Sequence, residues 1–289
     1  MIPPKYADVM KPANDMFGKD FPIGVDKLEV KTKAANGTAF TVNGSRNSTS
    51  GGINAEFTVK ASNLLKNLTI TDKINTNNHF TVELESENAF TKGLKIDAAG
   101  VISLASDGKA PSLKSNLFFK QDNLHFHLNS DLLNGPVVSS DAVVAQNGFL
   151  VGAEVSYDFA KSNVKASNLL VGYAASDYNA VIQTSNTFNL VTAAVFQRIR
   201  PGVLDTASRA TINLNQKADA AFAKMEVAAK YSLDKTSFVK AKVASDGNLG
   251  LSYSQIIRPG VTALFATSAN LSNLPESKNL VGFSLTFES

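Results

Sequence analysis

The chain has no cysteine, so disulfides, thiolate chemistry and cysteine-based metal sites are excluded. It has only three histidines, which leaves hydrolytic and metal-dependent chemistry few groups to work with. No nucleophile, base and orienting group converge in any motif, and the chain reads as a non-enzyme without a cofactor. No apolar run reaches the roughly 18 residues of a membrane-spanning helix. An excess of one charge is missing too: 28 Lys and Arg against 25 Asp and Glu leave a net charge of +3, too small to imply a nucleic-acid partner. The opening Met1-Ile2-Pro3-Pro4-Lys5 lacks the regions of a secretory signal peptide, and no Arg- and Ser-rich presequence follows.

What is present is alternation. The chain has 289 residues, 44% of them hydrophobic, with a mean hydropathy of -0.04. Such values suit a soluble protein, and they equally suit a membrane barrel whose strands alternate lipid-facing and lumen-facing residues. Only residues 5–20 carry helical periodicity, with Tyr6, Val9, Met10, Ala13, Met16 and Phe17 on one face and Asp8, Lys11, Asp15 and Lys19 on the other. Pro12 should bend or break this helix into two short pieces. From pattern alone, the segment is an amphipathic helix packed on some core.

After Phe21 the period becomes two. Phe57 and Val59 alternate with Glu56, Thr58 and Lys60; Phe80, Val82 and Leu84 with Thr81, Glu83 and Glu85; Leu124, Phe126 and Leu128 with His125, His127 and Asn129. Near the end, Val281, Phe283, Leu285 and Phe287 alternate with Gly282, Ser284 and Thr286. Hairpin signals punctuate the chain, among them Asn36-Gly37, Asn77-Asn78, Asp107-Gly108, Asn134-Gly135-Pro136, Asn147-Gly148, Asp246-Gly247 and Pro259-Gly260. At roughly 14 residues per strand and turn, the remainder accommodates about 18 to 20 strands, each near the ~9–11 residues that cross a bilayer with tilt.

Nearly every segment keeps one apolar face, and none reads as the continuous apolar run of a strand covered on both sides. One closed sheet satisfies this, because closure leaves no unpaired edge in lipid. The expected fold is therefore all-β: residues 1–21 an N-terminal helical segment, residues 22–289 a transmembrane β-barrel. A soluble or secreted β-rich ligand-binding protein remains the alternative from pattern alone.

Several segments carry a family likeness. Tyr231-Ser232-Leu233-Asp234, then Ala241-Lys242-Val243 and Gly250-Leu251-Ser252-Tyr253, resemble the signature of eukaryotic porins with its spacing kept; Lys235 departs from the small residue or proline usual there. Gln255-Ile256-Ile257-Arg258-Pro259-Gly260, Pro3-Pro4-Lys5-Tyr6-Ala7-Asp8 and Gly93-Leu94-Lys95 extend the likeness along the whole chain. It resembles the mitochondrial porins, or voltage-dependent anion channels.

That resemblance implies a 19-strand barrel in the mitochondrial outer membrane with its helical segment in the lumen. It further implies a voltage-gated, mildly anion-selective pore for ATP, ADP, phosphate and respiratory substrates. The protein-import barrel is the nearest rival, and this chain lacks its longer N-terminal extension. An odd strand count requires the first and last strands to pair in parallel, near residues 26–34 and 280–288.

Lys31, Lys60, Lys95, Lys114, Lys120, Lys224, Lys230, Lys240 and Lys242 fall on or near the wet register and would draw anions into a lumen. The resemblance assigns gating to Asp15, Lys19 and Lys95, and loose ATP or NAD binding to Lys11, Lys19, Leu249 and Gly250. Homo-oligomers, hexokinase and apoptosis regulators are implied as partners in the same way, beside the lipid bilayer itself. Asp72 takes a greasy place in the register Leu68, Ile70, Asp72, Ile74, where a charge is costly; it is a slipped register, a protonated acid or a functional group. It aligns with a membrane-facing acidic residue of many family members. His125 and His127 share a face at a spacing that could hold a metal, but no third ligand accompanies them.

Overall fold

A computed structural model describes residues 2–65, 67–105, 110–133, 136–215, 223–272 and 279–289. The expected turns at Asp107-Gly108 and Asn134-Gly135 lie outside the described residues. The chain opens with a 3-10 turn (Tyr6–Asp8) and one helix, α1 (Lys11–Gly18). Pro12 sits in the first turn of α1, where no helical partner is lost, so it starts the second piece and does not interrupt it.

Strands fill the remainder. The first five are β1 (Val25–Lys33), β2 (Ala39–Asn47), β3 (Ile53–Leu65), β4 (Leu68–Asn75) and β5 (His79–Glu87). There follow β6 (Leu94–Ser103), β7 (Ser112–Lys120), β8 (Leu124–Asp131), β9 (Val137–Gln146) and β10 (Phe149–Asp158). Next come β11 (Asn163–Ala174), β12 (Tyr178–Ser185), β13 (Leu190–Arg200), β14 (Leu204–Asn213) and β15 (Ala223–Ser232). The last are β16 (Ser237–Ala244), β17 (Asn248–Arg258), β18 (Val261–Asn270) and β19 (Leu280–Glu288).

Each strand pairs antiparallel with the next in sequence, and β1 pairs with β19, closing a 19-stranded sheet. The closing pair is parallel, with Asp26–Lys31 beside Phe283–Glu288. The family resemblance implied this number; the residue arithmetic alone spanned 18 to 20.

Local sequence explains the hairpins. At Asn147-Gly148 both residues have positive φ, 51° and 88°, matching the twist of a two-residue hairpin between β9 and β10. Along each strand the outer face is apolar and open: Leu28, Phe57, Leu84, Val151, Val171, Ile182, Phe265 and Val281 are all exposed. A continuous apolar belt of this kind has no place on a protein in water. Aromatic pairs sit on it near strand ends, Phe149 against Tyr173 and Tyr157 beside Phe159.

The core lies inside the barrel, against one side only. Val143, Ala145, Leu150, Leu170, Val181, Ala194, Ala207 and Ala228 are buried although they point inward, because Tyr6, Val9, Met10, Ala13, Met16 and Phe17 cover them. Strict alternation therefore fails where the N-terminal segment lies. Phe149-Leu150-Val151, Leu169-Leu170-Val171 and Ala193-Ala194-Val195-Phe196 are apolar on both faces, correcting the expectation that no segment is covered on two sides.

The linker from α1 to β1 crosses the parallel seam at Gly282. A Cβ built there would lie 1.6 Å from the Pro22 carbonyl oxygen and 2.8 Å from that of Val25. Gly282→Ala is expected to cost about 1–3 kcal/mol by forcing the linker off the wall. Denaturant titration of the folded barrel in detergent should show an earlier midpoint; an unchanged midpoint would mean the linker is not seated there.

Candidate functional site

The inner wall divides into a covered half and a bare half. The 3-10 turn lies against β9 and β10, and α1 against β13, β14 and β15. Small residues make this close approach feasible: at Gly152 a Cβ would come within 3.1 Å of the Tyr6 ring. Each Val, Met or Phe buried here contributes about 1.5–3 kcal/mol to docking. Burial, and then the carboxylates of Glu154 and Asp141, raise the Tyr6 phenol above its ordinary range and keep it neutral.

The helix C-terminus is held by charge. Lys240 Nζ donates to the carbonyl oxygens of Asp15 and Lys19, both at 2.7 Å, and lies 3.5 Å from the Asp20 carboxylate. Lys242 Nζ donates to the Phe17 carbonyl oxygen at 2.6 Å. Both ammonium groups also approach the Phe21 ring, at 5.3 and 4.3 Å from its centroid. Cations at this end answer the last carbonyls, of which that of Asp15 also accepts the Lys19 N–H, and the negative pole of the helix. Arg209 completes the grip: it donates to Asn14 Oδ1 at 3.0 Å, lies 4.6 Å from the Phe17 ring centroid, and pairs with Glu226.

Lys240 therefore needs correcting. It was expected to add free positive charge to an open lumen, but it is only 3% exposed and serves as an anchor, with Lys242 half-buried beside it.

Lys31, Lys60, Lys95, Lys114, Lys120, Lys224 and Lys230 lie on the same inward-facing register. Acidic neighbours share that wall. Lys31 meets Glu29 at 3.0 Å, Lys95 meets Glu85 at 3.1 Å, Lys73 meets Glu83 at 2.6 Å, and Lys224 meets Asp246 at 3.1 Å. The lumen is thus mixed in charge, which suits weak selectivity more than strong. Reading the lysines without their cross-strand partners missed this; Glu83 and Glu85, spaced two apart on the wet face, were the available signal.

The residues the resemblance linked to gating are not brought together. Asp15 pairs with Lys11 at 3.3 Å on the helix, whereas Lys95 lies on β6, in the half the helix does not cover. Lys11 and Lys19 line a cavity of about 600 Å³ with Tyr178, Arg198 and Lys230. Leu249 and Gly250 line a different cavity with Lys224 and Lys242, Leu249 lying opposite Val243 of the neighbouring β16. Asp72 lies opposite Val59 and Val82, on the face that carries Ile70 and Ile74.

This is a greasy-sided ring of strands with a charged bore and a docked N-terminal segment, and comparison with known proteins agrees with it. The family model for eukaryotic porins matches residues 2–282. The chain belongs to the eukaryotic porin family. It is 35% identical over 293 residues to a Neurospora crassa protein called mitochondrial outer membrane protein porin, with 100% of both chains covered. A Candida albicans protein of the same name is 34% identical over 99% of both chains. The human protein called non-selective voltage-gated ion channel VDAC2 is 31% identical, covering 99% of this chain and 95% of its own.

Lys240→Met keeps the bulk of the anchor and removes its donor, so the end of α1 should open more often. Charged hydrogen bonds of this kind contribute ~1.5–3 kcal/mol each, so tryptic cleavage after Lys19 is expected to accelerate by about tenfold or more. Lys224→Met, away from those carbonyls, should leave the rate near wild type. Equal rates in wild type and Lys240→Met would remove the anchoring role.

Proposed function

We propose that this porin is a voltage-gated diffusion channel of the mitochondrial outer membrane, passing ions and small metabolites with a mild preference for anions. One observation carries the reading: the sheet is closed, apolar outside and charged inside, while the N-terminal segment covers one side of the bore, from His125 of β8 round to Lys240 of β16. The bare part, β1 to β7, leaves a polar route for solutes such as ATP, ADP, phosphate and respiratory substrates. The names of the fungal and animal relatives support both the membrane and the voltage dependence.

Charges on the docked segment supply the gating. Moving one elementary charge through the field yields about 2.3 kcal/mol per 100 mV, comparable to a few anchoring hydrogen bonds. Asp15 and Lys19 are carried by the segment itself, and Lys95 lies on β6 of the bare wall. Loose nucleotide association would use the cavity that holds Lys11, Lys19, Arg198 and Lys230.

Purified protein in a planar bilayer should give large single-channel steps, a reversal potential favouring chloride across a KCl gradient, and closure at either polarity. Reversing two lumen lysines, as in the double variant Lys60→Glu with Lys120→Glu, should move the reversal potential toward cation preference. Well-folded protein that shows no conductance would end this reading.

A further inference from the structure

Where residues Pro3–Tyr6 meet the wall, β7, β8 and β9 present titratable groups that conduction does not require. His125 is buried, with Nδ1 3.1 Å from the Pro3 carbonyl oxygen. A carbonyl only accepts, so Nδ1 carries a proton; Nε2 is buried and makes no hydrogen bond among the described residues. His125 is thus the neutral Nδ1–H tautomer.

His127 shares the face but not the situation. Its Nδ1 lies 2.7 Å from Asp141 Oδ2 and its Nε2 3.2 Å from Asn116 Oδ1, while its ring stacks on Phe118 at 4.3 Å. The amide of Asn116 is oriented by its other partners: Nδ2 donates to Asp97 Oδ2 at 3.4 Å, and Oδ1 accepts from Asn129. Both ring nitrogens of His127 therefore face acceptors, an arrangement that only the imidazolium satisfies. The second oxygen of Asp141 accepts the backbone N–H of Tyr6 at 3.3 Å.

We infer that His127, as an imidazolium, is a positioning residue that aims Asp141 at the Tyr6 N–H and so clamps the start of the N-terminal segment to the wall. The other charged and titratable groups facing this cluster are Asp97 and Lys95 on β6, Lys120 on β7, His125 on β8, Glu154 on β10, and Glu85 on β5 behind Lys95. Asp141 is the one that His127 touches at salt-bridge distance. Removing the proton leaves a ring lone pair aimed at an acceptor and turns the Asp141 ion pair into a neutral donor on a carboxylate, so the clamp holds at low pH and loosens as pH rises. Loosening starts at residues 2–6, because the far end of α1 is held separately by Lys240 and Lys242.

The absence of native cysteine makes a local test direct. A nitroxide on Ile2→Cys, an exposed site, is read by electron paramagnetic resonance on the full-length barrel in lipid vesicles from about pH 5.5 to about pH 8.5. The mobile fraction should rise about fivefold across that range, the loss expected when a charge-assisted contact becomes a neutral one. His127→Gln should flatten the profile, and His125→Gln should retain its slope. Asp141→Asn, which keeps the side-chain shape, provides a second flat profile and carries the test if His127→Gln fails to assemble. A flat profile in the wild-type background, or a slope that survives in both His127→Gln and Asp141→Asn or vanishes in His125→Gln alone, would overturn the assignment. The readout is local mobility and not current, so it stands or falls separately from the channel reading.

Discussion

In a bilayer every backbone N–H and C=O must find a partner within the protein, because the hydrocarbon offers none. The rest of the architecture follows from that demand. A sheet with two free edges fails it, so the strands close on themselves, and β1 lies beside β19. Because each hairpin reverses direction and the strands are odd in number, the closing pair is parallel. The seam then sets the way into the bore: the linker to β1 crosses it at Gly282, the position with no side chain to obstruct the Pro22 carbonyl.

The second constraint is that a bore wide enough for hydrated solutes cannot be filled by its own wall. The N-terminal segment settles on one side and turns part of the wall into a small core. Its hold is mixed. Apolar burial along Val9, Ala13, Met16 and Phe17 supplies most of the adhesion, while Lys240, Lys242 and Arg209 fix its register at the C-terminal end. Apolar contact tolerates sliding; ammonium groups on named carbonyls do not. The combination gives a segment that has one seat and still carries exposed charge at Lys11 and Lys19, which is what response to a field requires.

The sheet was legible because period-two alternation is written residue by residue, and Phe80 to Glu85 or Val281 to Phe287 state their faces without help from the fold. The count was not, since 18, 19 and 20 strands share one alternation and differ only in how the ring closes. The docking strip was written in the sequence and passed over: Leu169-Leu170-Val171 and Ala193-Ala194-Val195-Phe196 break alternation where a second layer covers them. Charges were the hardest to read. Lys240 looks like any wet-face lysine, and only the three-dimensional seat of α1 makes it an anchor. Arg209 and Glu226 lie 17 positions apart and meet across β14 and β15.

The central claim is an aqueous bore narrowed by a docked N-terminal segment. The measurement that addresses it most directly is single-channel conductance in the presence of polyethylene glycols of graded size, for the full chain and for a form lacking residues 2–20. The account predicts that small polymers enter and depress the conductance, that larger ones are excluded, and that the exclusion limit moves to larger polymers when the segment is removed. Identical limits in the two forms would place the segment outside the conducting path and contradict the account.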